Sequence, residues 1–153
     1  MSRRFAMIST NIWESERFLS LQCNTSRLVY IYLHSGPRCN SIGAYQIKPG
    51  QISLDVPDVT DADEVLDELK NSELIDREGR VIRIVKFLKH SPIMNWQHAV
   101  RASEDCIALP DTGIRNAVAV ELWNSVGMQK LREWRDKSGK VHKALIRFGD
   151  QFP

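Results

Sequence analysis

The sequence has no long hydrophobic run. Its longest uninterrupted apolar stretch, Leu28 to Leu33, is six residues, where a membrane-spanning helix needs roughly 18 or more. No membrane partner is expected. Cysteine is sparse: Cys23, Cys39 and Cys106 are odd in number, widely spaced and free of any C-x-x-C pattern, which supports neither a disulfide framework nor a zinc knuckle. Buried free thiols in a reducing compartment are the expectation. The sequence also lacks a G-x-x-x-x-G-K-S/T phosphate loop, an H-E-x-x-H helix and a G-x-S-x-G elbow. His34, His90, His98 and His142 lie far apart; His90 and His98 straddle an expected helix start and would share a metal only through an accident of tertiary folding. No catalytic residue, metal or cofactor is expected, and the chain reads as non-enzymatic.

What remains is an ordinary core-forming composition. The 153 residues are 42% hydrophobic, 26% charged and include 4 Trp, 3 Tyr and 5 Phe, which suits one domain, or a small domain with an extension, rather than disorder or a coiled coil. A chain of this length buries about two-thirds of its surface without covalent staples. Ser2-Arg3-Arg4-Phe5-Ala6-Met7-Ile8 superficially resembles a twin-arginine export signal, but Ser9-Thr10-Asn11 interrupts it after four apolar residues. It reads as the first structured segment of a cytoplasmic protein.

The net charge is only +2, but it is unevenly placed. Residues 55–73 hold eight acids and the single base Lys70, a local balance of −7, so the rest of the chain carries +9. Such asymmetry suggests a polyanion on one face and something else on another.

Ser15 to Gln22 reads as a short helix or helical turn, and Asn24-Thr25-Ser26 as the cap of a second helix that stops at Gly36-Pro37. Ile42 to Ile47 looks like a short strand. Pro49 to Val56 stays open: Ile52, Leu54 and Val56 alternate like a strand, while Pro49 suits a first helical turn. Thr60 and Asp63 form an acidic variant of the capping box ahead of Ala62, Val65, Leu66 and Leu69, an amphipathic helix with an acidic outer face. Leu74-Ile75, the polar turn Asp76 to Arg80 and Val81 to Val85 make a hairpin. Further helices are expected over Trp96 to Leu109, with Ala99, Ala102, Cys106 and Leu109 on one stripe, and after Asp111-Thr112, with Ile114, Ala117, Val118 and Leu122, stopping near Gly127. Lys130 to Phe148 breaks at Lys137-Ser138-Gly139, and the alternation of His142, Ala144, Ile146 and Phe148 favours a basic hairpin over a helix and tail.

From about Met7 to Pro92 the chain resembles the winged-helix domain of bacteriophage replication-type and phage regulatory proteins. The residues that carry this are Ile12-Trp13 and Phe18, Arg27 to Leu33, Asn40-Ser41-Ile42-Gly43-Ala44-Tyr45, Leu69-Lys70-Asn71-Ser72-Glu73-Leu74-Ile75, and Phe87-Leu88-Lys89-His90-Ser91-Pro92 at the exit from the wing. The resemblance implies an α+β, mainly helical fold: a winged helix-turn-helix over residues 1–92, with Pro49 to Val56 and Thr60 to Asn71 as its two helices. Residues 93–153 would be a C-terminal helical extension ending in a basic segment and packed on the first part. It also implies DNA as partner, in replication or regulation, in a host cell cytoplasm.

Physical chemistry qualifies that transfer. The second helix of a helix-turn-helix enters the major groove, yet here Asp61, Asp63, Glu64, Asp67 and Glu68 would face one phosphate charge per about 1.7 Å of duplex. Affinity is therefore expected from the wing and the stretch just after it, Arg77, Arg80, Arg83, Lys86 and Lys89, and from the basic end, Lys130, Arg132, Arg135, Lys137, Lys140 and Lys143. Trp134 either stacks on a base or anchors the terminal segment to the core. The alternative is a protein-interaction module whose acidic helix face binds a basic host or phage protein. A homodimer is compatible with either. The same acids suggest nuclease carboxylates, but they fall on the outward side of a helix rather than in a cleft.

Overall fold

The fold is described from a computed structural model, which describes residues 5–125, Met128 and residues 143–152. It is α+β: helices surround a small three-stranded antiparallel sheet. A 3-10 turn, Thr10–Glu14, leads into α1 (Glu16–Leu19) and α2 (Asn24–Ser35). The cap of α2 is Cys23, one residue before the expected Asn24-Thr25-Ser26; its Sγ accepts from the Ser26 amide at 3.4 Å. That role holds Cys23 at the surface, against the expectation of buried thiols, whereas Cys39 and Cys106 are buried, and all three are free.

Strand β1 (Ala44–Gln46) follows a tight turn in which Gly43 is held at φ +63°, and a Cβ there would lie 2.2 Å from Cγ of Phe87. Pro49 to Val56 resolves as a helix, α3 (Pro49–Asp55), with Pro49 in its first turn. The reason lies in burial. Ile52 and Val56, four apart, are buried while Leu54 is 82% exposed; a half-buried strand would have put all three on one face. Helix α4 (Ala62–Asn71) buries Ala62, Leu66 and Leu69, and its cap is Asp61 rather than Thr60, accepting from the Glu64 amide at 3.0 Å. Two strands then pair across the Gly79 turn, β2 (Ile75–Glu78) and β3 (Val81–Ile84), in register Arg77 opposite Ile82. Gly79 sits at φ +60°, the left-handed conformation such a two-residue turn requires. β1 joins the free side of β3, Tyr45 opposite Ile82, giving the sheet order β1-β3-β2.

Beyond the sheet come α5 (Phe87–His90), α6 (Trp96–Ala108), α7 (Gly113–Asn124) and α8 (Lys143–Gln151). The stripe Ala99, Ala102, Cys106 and Leu109 is buried, as are Ile114, Val118 and Leu122, and Thr112 caps α7 by accepting from the Arg115 amide at 3.2 Å. Helix α7 ends at Asn124, earlier than expected from Gly127.

The expected second arm of a basic hairpin is instead α8. Strand alternation would put Ile146 and Phe148 on one face, yet Ile146 is 51% exposed and Phe148 fully buried. Leu145 and Phe148, with Phe152 just beyond the helix, pack into the core as α8 lies against α6, and they reach α7 through Trp123, whose Nε1 donates to the Phe152 carbonyl at 2.7 Å. The turn placed at Lys137-Ser138-Gly139 lies outside the described residues. One connected cluster of buried side chains runs from Phe18 to Phe148, so the later helices share a core with the sheet. Asp105 of α6 ties them further, accepting from Ser41 N at 3.1 Å and Ser41 Oγ at 2.5 Å. Among the described residues no helix is long and apolar enough to cross a membrane.

Candidate nucleic-acid interface

The acidic segment is largely engaged by the protein itself. Asp61 caps α4, and Asp63 and Glu64 lie in its first turn, where negative charge offsets the positive end of the helix dipole. Glu68 does not point outward as the sequence pattern suggested. It turns towards the start of α2, where it accepts from the Gln22 amide at 2.7 Å and from Ser26 Oγ. Asp55 accepts from Tyr32 Oη at 2.5 Å and Gln51 Nε2 at 2.9 Å, and Glu73 pairs with Arg17 at 2.7 Å. Tyr32 consequently holds its proton to about pH 12, through burial first and the Asp55 carboxylate second.

Asp63 and Asp67 clamp the hairpin. The Arg77 guanidinium pairs with both, reaching Asp67 at 3.2 Å, while its Nε donates to the Gly79 carbonyl at 3.2 Å. Its side chain is only 16% exposed. Arg83 is similarly occupied: it meets Asp76 at 2.7 Å and Glu121 of α7 at 3.8 Å. Burial pushes the Glu121 carboxyl above its ordinary range, and the Arg83 charge opposes that shift. Of the three wing arginines named from the sequence, then, the structure holds Arg77 and Arg83 against carboxylates of their own chain. The cause is packing around the hairpin: Arg77 reaches the α4 carboxylates Asp63 and Asp67, and Arg83 lies opposite Asp76 in the sheet and near Glu121 of α7, whereas Arg80 stands in the turn.

Arg80, Lys86 and Lys89 are exposed. Lys48 joins them: the Ile47 amide donates to the Arg80 carbonyl at 2.9 Å, so the chain entering α3 runs beside the hairpin turn. Sequence reading missed Lys48 because only β1–β3 pairing brings it there. Among the described residues none of Lys48, Arg80, Lys86 and Lys89 pairs with a carboxylate. These four do not form a single cluster, since Arg80 is at the turn of the hairpin and Lys86 follows its opposite end. Lys143 opens α8 and is exposed. Lys130, Arg132, Arg135, Lys137 and Lys140, with Trp134, lie outside the described residues.

Among the described residues no group of three His, Cys, Asp or Glu side chains is arranged to hold a metal ion. Arg115, clamped to Asp111 at 2.5 Å and lying over the Phe152 ring, serves the packing of α8 rather than a site. Compared with protein-family models, with curated proteins and with solved structures, the chain finds no match in any of the three.

Proposed function

We propose that residues 1–92 form a winged helix-turn-helix domain and that the protein is a non-enzymatic DNA-binding protein of phage replication or regulatory type. Support for the fold is the order α2, β1, α3, α4, hairpin, with the third strand in the middle of the sheet. The observation that carries the function is the disposition of charge. Asp63, Asp67 and Glu68 of α4 are engaged within the chain, whereas Arg80 and its neighbour Lys48 stand free of carboxylates at the hairpin turn. Phosphate contact, which supplies most nonspecific affinity, falls to those two residues, to Lys86 and Lys89, and to the basic stretch from Lys130 to Lys143. Helix α4 stands off or contributes little. Specificity is low, because α4 carries no arginine or glutamine and its one asparagine, Asn71, is its last residue, away from the first turns that enter a groove. The alternative is a protein-interaction module in which the acidic face binds a basic protein: Asp61, Asp63, Glu64 and Asp67 keep exposed carboxylates, although Asp63 and Asp67 also pair with Arg77.

Retention of the full chain on immobilised duplex and single-stranded DNA, at low and at moderate salt, tests this reading. Retention at low salt that is lost at moderate salt supports it. Passage through both columns at low salt overturns it.

A further inference from the structure

Arg77 stands beside the phosphate contact at the hairpin turn without being free to join it. Its Nε donates at 3.2 Å to the carbonyl of Gly79, the residue before Arg80 in the turn, and the bond from the Ile47 amide to the Arg80 carbonyl brings Lys48 to the same end of the hairpin. Among the described residues neither Arg80 nor Lys48 pairs with a carboxylate. Arg77 pairs with two. One of its terminal nitrogens meets Asp63; the other reaches Asp67 at 3.2 Å and lies 3.5 Å from the Asp63 carbonyl.

The two sides of this contact differ in their access to water. The Arg77 side chain is 16% exposed, whereas those of Asp63 and Asp67 are 60% and 66% exposed. Asp63 and Asp67 are one helical turn apart on α4, so a single guanidinium spans both. A phosphodiester presents a guanidinium with the same chemistry, two anionic oxygens, and ion pairs whose acids lie in solvent are weak enough to exchange with a multivalent anion. The acids also outnumber the base they hold. Their surplus negative charge lies beside the turn, where it opposes an approaching phosphate.

We propose that Asp63 and Asp67 form an autoinhibitory clamp, occupying Arg77 in place of a DNA phosphate, and that Arg77 joins Arg80 and Lys48 on the backbone when the clamp is neutralised. This rests on the DNA-binding reading and adds to it a limit on affinity that α4 imposes without touching DNA.

Duplex binding by the full chain is followed by fluorescence anisotropy across a range of salt concentrations. The proteins are the wild type, Asp63→Asn with Asp67→Asn, Arg77→Gln, and all three changes together. Neutralising the clamp is expected to tighten binding at low salt about ten-fold, the worth of one charge-assisted hydrogen bond, and to steepen the slope of log K against log salt by about one unit. Arg77→Gln removes both gains when added to the neutralised chain and shifts the wild-type slope by much less. Asp67→Asn alone gives a smaller gain of the same sign, and it carries the test if thermal melts show the double change unfolding the chain. Three results overturn the proposal. Neutralisation leaves the slope unchanged, or weakens binding because the clamp positions the hairpin; the gain survives Arg77→Gln, so that repulsion alone explains it; or Arg77→Gln flattens both backgrounds equally. In each of these, binding by the wild type leaves the DNA-binding reading standing. Binding by the neutralised chain alone supports the clamp and contradicts that reading for the wild type, and no binding by either contradicts both.

Discussion

Arg77 and Arg80 are three positions apart and have different work. Arg77 directs its guanidinium onto two carboxylates of α4 and the Gly79 carbonyl, whereas Arg80 projects from the turn into solvent. Arg77→Ala is expected to lower stability by about 1–2 kcal/mol through lost charge-assisted hydrogen bonds. Arg80→Ala is expected to stay within about 0.5 kcal/mol of the wild type while flattening the salt dependence of DNA binding by close to one unit. Thermal melts and salt titrations of the two variants check this, and equal melting points with an unchanged slope for Arg80→Ala would contradict it. The same residues show what a sequence conceals. A run of basic residues reads as a phosphate surface until the packing of the hairpin on α4 and α7, with the pairing of its own strands, sets two of them against Asp63, Asp67, Asp76 and Glu121, and nothing in the linear spacing identifies Glu121 as a partner of Arg83.

Glu121 adds a pH dependence. Its folded-state pKa is raised, so the folded chain holds that proton more tightly than the unfolded chain does. Its contribution to stability is therefore fullest below the ordinary value of 4.5 and falls as pH climbs through the raised value. Glu121→Gln removes this term. Denaturant unfolding from pH 4.5 upward is expected to show the variant gaining on the wild type as pH rises, and parallel profiles would rule the effect out.

Helix ends and helix faces account for most of what was legible in advance. The α4, α6 and α7 stripes were readable because their apolar residues recur at three and four and are buried where that period puts them. Two short segments misled or stayed ambiguous for one shared reason: in Pro49 to Val56 and in His142 to Phe148 apolar residues recur at two and at four, which satisfies a strand and a helix alike. Tertiary burial decided both, exposing Leu54 and Ile146 while covering Ile52 and Phe148. Caps shifted by a residue because any of several adjacent polar side chains can close a first turn, as with Thr60 and Asp61. Asp61 is the cap that the geometry selects. Asp61→Ala is expected to cost about 1 kcal/mol and Thr60→Ala much less, measured by chemical denaturation; the reverse order would return the cap to Thr60.

The molecule shares one core from α1 to α8. Phe148 is fully buried against Trp123 at 4.9 Å and Phe152 at 5.0 Å between ring centroids. Its truncation to Ala is expected to cost about 3–5 kcal/mol. Because the core is continuous, calorimetry should show a single transition moved to lower temperature; an unmoved main transition preceded by a small separate one would show α8 folding apart from the rest. Charge is the other property of the whole chain. Among the described residues, Asp63, Asp67 and Glu68 of α4 are engaged within the chain while Arg80 and Lys48 at the hairpin turn, and Lys86 and Lys89 beyond β3, pair with no carboxylate, and the proposed DNA contact is through phosphate. The direct measurement is the affinity of the full wild-type chain for duplexes of unrelated sequence across a range of salt concentrations. The account predicts similar affinities for every duplex, with log K falling linearly in log salt at a slope steeper than about −2. Affinity that does not change with salt, or no binding at low salt, would contradict it.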